Sequence, residues 1–171
     1  MTMMKTTSIG LCLLMLVACS KDSVVAPLSA NDQLIKDLAL VDQAQLQKDI
    51  ATIDKYLTTQ GITAIKDYTG LHYVITTPST GIKPTLTNKV TVKYTGKLLS
   101  SGAQFDQSAS ATFTLSTLII GWRIGFPLLN KVSKATLYIP SGYAYGVSGA
   151  PPAISANANL VFTVELIDVA N

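Results

Sequence analysis

Val90-Thr91-Val92-Lys93-Tyr94-Thr95-Gly96-Lys97-Leu98 alternates along its whole length between a core-type and a solvent-type residue. Successive side chains of an extended chain point to opposite faces, so Val90, Val92, Tyr94, Gly96 and Leu98 share one face and Thr91, Lys93, Thr95 and Lys97 the other. This is the pattern of a half-buried antiparallel strand. Working outward, Ser101-Gly102 supplies a turn, after which Phe105 returns towards the same core. Upstream, Gly70 to Ile75 reads as a first strand, and Pro78 to Asn88, with Gly81 and Pro84, as a loop. Downstream, Ala135, Leu137 and Ile139 repeat the alternation, as do Leu160, Phe162, Val164 and Leu166.

Between these strands the period changes. Trp122, Phe126 and Leu129 stand at i, i+4 and i+7 of a short helix that begins near Ile120. Pro127 lacks a backbone donor and bends or shortens that helix. The expected fold is α+β: a twisted antiparallel β-sheet wrapped around one short α-helix.

Bulk composition narrows the chemistry. The chain has 171 residues, 48% of them hydrophobic, enough for one sizeable domain with appendages. Its mean hydropathy of +0.36 is high for a soluble domain, and the first residues contribute part of it. The net charge is only +3, with Lys scattered among Asp and Glu, so nucleic-acid binding has no footprint here. The two cysteines, Cys12 and Cys19, lie near the start and staple nothing in the body of the chain. A single histidine, His72, on a strand, leaves no material for His-based triads or His-rich metal sites. No metal or cofactor is expected.

Six short motifs follow in order: Val92-Lys93-Tyr94-Thr95-Gly96, Phe105-Asp106, Ile119-Ile120-Gly121-Trp122, Ile139-Pro140, Tyr143-Ala144-Tyr145-Gly146 and Leu160 to Leu166. Singly each is weak, and each aromatic in them reads as ordinary core. As an ordered set they resemble the FKBP family of peptidyl-prolyl isomerases. The resemblance implies the FKBP-like fold over residues 63–171 and a pocket with Trp122 as its floor. Tyr94, Phe105, Ile119, Tyr145 and Phe162 would form its walls, with Asp106, Phe113, Leu118 and Ile154 around them. It further implies proline-containing unfolded or exported polypeptides as substrates, and macrolide immunosuppressants of the tacrolimus type as ligands. In the family, the polar contacts come from the backbone N–H at the position of Ile119 and the phenol at that of Tyr145. Asp106 shapes the polar side of the pocket and transfers no proton.

Several positions depart from the family's pattern. Ile154-Ser155-Ala156 stands where Ile-Pro-Pro is common, Ala150 where a larger residue is frequent, and Ala111 where several members have a pocket aromatic. The segment before Leu118 is also shorter, with Ser116-Thr117 near a usual Gly. The slimmer loop over 150–156 leaves a second reading open, a catalytically weak FKBP-fold binding or chaperone module.

The front of the chain reads as an export signal. Lys5 precedes the apolar run Ile9 to Ala18, too short to span a bilayer core of about 30 Å. Cleavage by ordinary signal peptidase after Ala18 would leave Leu16 at the −3 position, where a small residue is needed. Leu16-Val17-Ala18-Cys19 resembles a bacterial lipobox instead. The expectation is a signal peptide over 1–18 and acyl chains, such as palmitate, on Cys19. A flexible tether over 19–29 follows. Two or three acyl chains anchor a protein stably where one is marginal. Ser20, not Asp, stands next to Cys19, which favours a lipid-anchored place on the outer membrane of a Gram-negative cell envelope, on its periplasmic or surface face.

Residues 30–62 form a helical segment. Ser29 and Asp32 make a capping box, with Asp a shorter partner than the usual Glu. Leu34, Leu38 and Val41 form one apolar stripe, Leu46, Ile50, Ile53 and Leu57 a second offset from it, and Gly61 ends the helix. The offset predicts a break near Gln43 to Gln47. Such a face packs either on the chain's own domain or against a second copy in a homodimer.

Overall fold

The structure is a computed structural model that describes residues 28–171. The segments expected as a signal peptide (1–18) and, up to residue 27, as a tether, with Cys19, lie outside the described residues. Two helices lead, α1 (Ala30–Ala39) and α2 (Gln43–Thr59). Six strands follow: β1 (Ile65–Lys66), β2 (His72–Thr77), β3 (Lys89–Leu98), β4 (Gln104–Thr114), β5 (Lys134–Ile139) and β6 (Leu160–Ala170). The short helix α3 (Ile120–Gly125) lies between β4 and β5. All pairings are antiparallel, in the order β1-β2-β5-β6-β3-β4.

The alternation that reads as a strand at 90–98 is β3, which pairs with β6 on one side and β4 on the other. Its inward residues Val90 and Val92 are fully buried. Leu137, Ile139, Leu160, Phe162 and Val164 join them from β5 and β6, and α3 closes this face. The approach is tight: a Cβ on Gly125 would lie 2.8 Å from Leu137 Cδ1, so α3 meets β5 through glycine. As expected from Pro127, the helix tightens after one and a half turns into a 3₁₀ turn at Phe126–Leu128.

Three expectations shift. The first strand starts at His72 because Gly70 has a φ of +93°, a turn conformation that closes Asp67 to Gly70. The two-residue β1 and the full length of β4 carry too little periodicity to be read from sequence. The helix breaks at 40–42, just before the predicted place, because Asp42 caps α2: its carboxylate accepts from the N–H groups of Ala44 and Gln45. At Ser29 the cap forms, but Asp32 is too short to reach back to the backbone and receives the Ser29 hydroxyl instead, at 2.7 Å.

The second stripe packs on the chain's own domain. Ile53 and Leu57 cover the face of the sheet opposite α3, against Tyr138 and Leu99, while Leu46 and Ile50 reach the main core. Polar ties fix the same helices. The buried Asp49 accepts from the N–H (2.9 Å) and hydroxyl (2.5 Å) of Ser141, just after β5. Asp54 meets the buried His72 Nε2 at 2.7 Å and Lys66 at 3.0 Å. Asp37 on α1 pairs with the buried Arg123 of α3 at 2.6 Å.

Candidate active site

Helix α3 delivers Trp122 to the middle of the concave face, and three strands bring aromatic rings to it almost at right angles. Tyr94 of β3 lies 5.1 Å away at 84°, Phe162 of β6 5.2 Å at 85°, and Phe113 of β4 6.0 Å at 80°. Such edge-to-face pairs are favourable beyond their buried area and fix ring orientation. The fully buried Phe126 supports Trp122 at 4.9 Å. Above this floor opens a cavity of about 190 Å³, lined by Tyr94, Asp106, Phe113, Leu118, Ile119, Trp122, Tyr145 and Phe162.

Eight of the ten residues predicted for the pocket therefore meet around one cavity. Phe105, expected as a wall, stands one ring back, 5.6 Å from Phe162 and at 86° to it. Gly96 makes this stacking possible, since a Cβ there would lie 2.7 Å from both rings. Ile154 is not at the cavity either. It is 3% exposed and ties its loop into the core, exchanging backbone hydrogen bonds with Ala150 at 2.8 and 3.0 Å. The slim loop over 150–156 is thus internally closed. Ala111 pairs with Val92 on β4, away from the cavity lining.

The polar side is arranged by Asp106. Its Oδ2 accepts from the Tyr94 hydroxyl at 2.8 Å and its Oδ1 from the Gln107 N–H at 2.8 Å. Burial, then the bond to Asp106, pushes the Tyr94 phenol up to about 12. Burial and the Asp106 charge also raise that of Tyr145, at the rim. Both phenols stay protonated through neutral pH and act only as neutral hydrogen-bonding groups. Ile119 is extended (φ −56°, ψ 150°) just before α3; its carbonyl accepts from Trp122 and Arg123, while its N–H has no protein acceptor among the described residues. The indole N–H of Trp122 is likewise unpartnered. The cavity can enclose a small apolar ring, exclude water, and offer a backbone N–H and a phenol to an amide. It holds no activated nucleophile.

The family model for FKBP-type peptidyl-prolyl cis-trans isomerase matches residues 80–167. The chain is 44% identical over 104 residues to a probable FKBP-type peptidyl-prolyl cis-trans isomerase FkpA of Neisseria meningitidis, covering 58% of this chain and 38% of that one. Over 104 residues it is 36% identical to the outer membrane protein MIP of Legionella longbeachae, covering 58% and 44% of the two chains. It thus spans less than half the length of both curated relatives. A crystal structure of a peptidyl-prolyl cis-trans isomerase from Pseudomonas syringae superposes with a TM-score of 0.65 at 32% identity, over 75% of this chain and 96% of that one. With the family model matching just over half of the chain, the chain belongs to the FKBP-type peptidyl-prolyl cis-trans isomerase family.

Proposed function

We propose that this protein accelerates cis-trans isomerisation of Xaa-Pro bonds in exported polypeptides, and that Trp122, Tyr94, Phe162, Ile119 and Tyr145 carry the reaction. The observation that supports it most is the ring cup over Trp122 with an unpaired Ile119 N–H and the Tyr145 phenol at its edge. Resonance gives the peptide C–N bond a rotational barrier of about 18–20 kcal/mol, so uncatalysed Xaa-Pro isomerisation takes on the order of tens to hundreds of seconds. At the twisted transition state the resonance is lost and the amide is less polar. An aromatic cup that takes the amide out of water therefore favours it over the planar ground state, which is differential binding without bond breaking.

A thousandfold acceleration needs about 4 kcal/mol. Removing the amide from water and one or two hydrogen bonds, each contributing about 0.5–1.5 kcal/mol net, are of that size. The same cup would admit a tacrolimus-type macrolide as a competitor. The test is the cis-to-trans rate of short Xaa-Pro peptides at micromolar protein. Acceleration that Trp122→Leu abolishes is expected; an unchanged rate with the unsubstituted protein overturns the reading.

Attachment to the bacterial envelope through a lipid on Cys19 belongs to the same proposal. It is supported by Leu16-Val17-Ala18-Cys19 and by the likeness to an outer membrane protein. Mass spectrometry of the mature N-terminus should find an acylated Cys19; an unmodified residue there, or a mature chain beginning elsewhere, contradicts it.

A further inference from the structure

Beside the prolyl cup lies a larger groove of about 580 Å³, and the helices ahead of the domain build half of it. Leu40, Val41 and Asp42, at the junction of α1 and α2, form one bank. Ile120, Gly146 and Val147 line the opposite bank. The groove and the cup share no lining residue but are built from chain neighbours at two places: Ile119 lines the cup and Ile120 the groove, Tyr145 the cup and Gly146 the groove. The junction is held rigidly to the elements that carry the cup. Asp37 bonds Arg123, next to Trp122, and Asp49 bonds Ser141, at the turn leading to Tyr145. Val41 also sits close over Gly142, where an added Cβ would lie 2.7 Å from its Cγ1.

Size and chemistry indicate what occupies it. Clefts that hold drug-sized ligands measure about 300–1,000 Å³. The cup, at about 190 Å³, is smaller than that and takes a single ring; the groove, at about 580 Å³, has room for several residues. Its most prominent side chains are apolar and solvent-facing: Leu40 is 84% and Val147 78% exposed. Each bank thus offers an open aliphatic side chain to whatever lies in the groove between them. The charged residues on the groove are Asp37, already paired with Arg123, and Asp42, one oxygen of which caps α2. No lysine or arginine lines it.

We propose that this groove binds the residues flanking the proline in an unfolded polypeptide, with Leu40 and Val147 gripping apolar side chains and Asp42 disfavouring acidic ones. The inference rests on the isomerase reading and makes the N-terminal helices part of substrate selection. The experiment uses the full chain and two substrates, a proline tetrapeptide that reaches only the cup and a permanently unfolded polypeptide with apolar residues around its proline. For Leu40→Asp and Val147→Asp, the ratio of kcat/KM on the long substrate to that on the short one should fall about tenfold. Ile35→Asp, at an exposed position of α1 outside the groove, should leave the ratio unchanged.

Both groove positions are exposed, so retained circular dichroism separates a binding loss from misfolding. An unchanged ratio in folded variants overturns the groove assignment while leaving the isomerase reading intact. No turnover of either substrate by the unsubstituted protein overturns both. A dimer in sedimentation that Leu40→Asp dissociates would give the groove to a second copy and likewise overturn the proposal.

Discussion

At the residue scale, the site depends on groups that donate or shape without exchanging protons. Tyr145→Phe removes one hydrogen-bond donor and keeps the ring; kcat/KM on a proline peptide should fall about 3–10-fold, read in the same assay as the unsubstituted protein. Asp106→Asn removes the charge that holds the Tyr94 proton. The Tyr94 phenol, pushed up to about 12, should then titrate lower in an ultraviolet pH titration. The Asp37 carboxyl is held below its ordinary value of 3.8, chiefly by its hydrogen bond from Arg123. A group lowered on folding stabilises above its unfolded pKa, and that stability is lost as pH falls through the folded one. Unfolding titrations should therefore show part of the stability vanishing below about pH 4, and Asp37→Asn should flatten that part.

At the scale of elements, glycine marks the places where the cup is assembled. Gly96→Ala drives a methyl into Phe105 and Phe162 at 2.7 Å. It should cost about 1–3 kcal/mol in denaturant unfolding and lower activity with it, because both rings belong to the same stack. Ile53→Ala empties a fully buried position under the opposite face. It should cost about 2–5 kcal/mol yet leave turnover of short peptides unchanged, since α2 supplies no residue to the lining of the cup and Ile53 packs on the other side of the sheet. The alternation from Val90 to Leu98 was sufficient to identify β3, and the i, i+4, i+7 spacing with Pro127 to place α3 and its early end. The opposite face of the sheet, with His72, Val74, Tyr138 and Val161, was not assigned from the sequence. Nothing local in those strands indicates that α2 covers them, because that face is buried by residues far away in sequence.

At the scale of the whole molecule, the helices and the sheet form one connected core, with Leu46 and Ile50 in the same cluster as Trp122 and Phe162. The cup was legible because its rings come from motifs whose order and spacing are distinctive. Phe105 stands outside the lining because membership of such a motif does not fix which side of a neighbouring ring a side chain takes, and Ile154 because its loop closes on Ala150. The groove was not legible at all: Leu40 and Val147 come to line one groove only after α1 and α2 break at Asp42 and dock on Arg123 and Ser141.

On the proposed mechanism the cup accelerates rotation by binding the twisted amide among aromatic rings, with no proton in flight. The most direct measurement is kcat/KM for one proline peptide from pH 6 to 9, in ordinary and heavy water, with phenols that remain protonated over that range. A flat profile, a solvent isotope effect near unity and loss of the acceleration in Trp122→Leu are expected. A bell-shaped profile, a large isotope effect, or full activity in Trp122→Leu would contradict it.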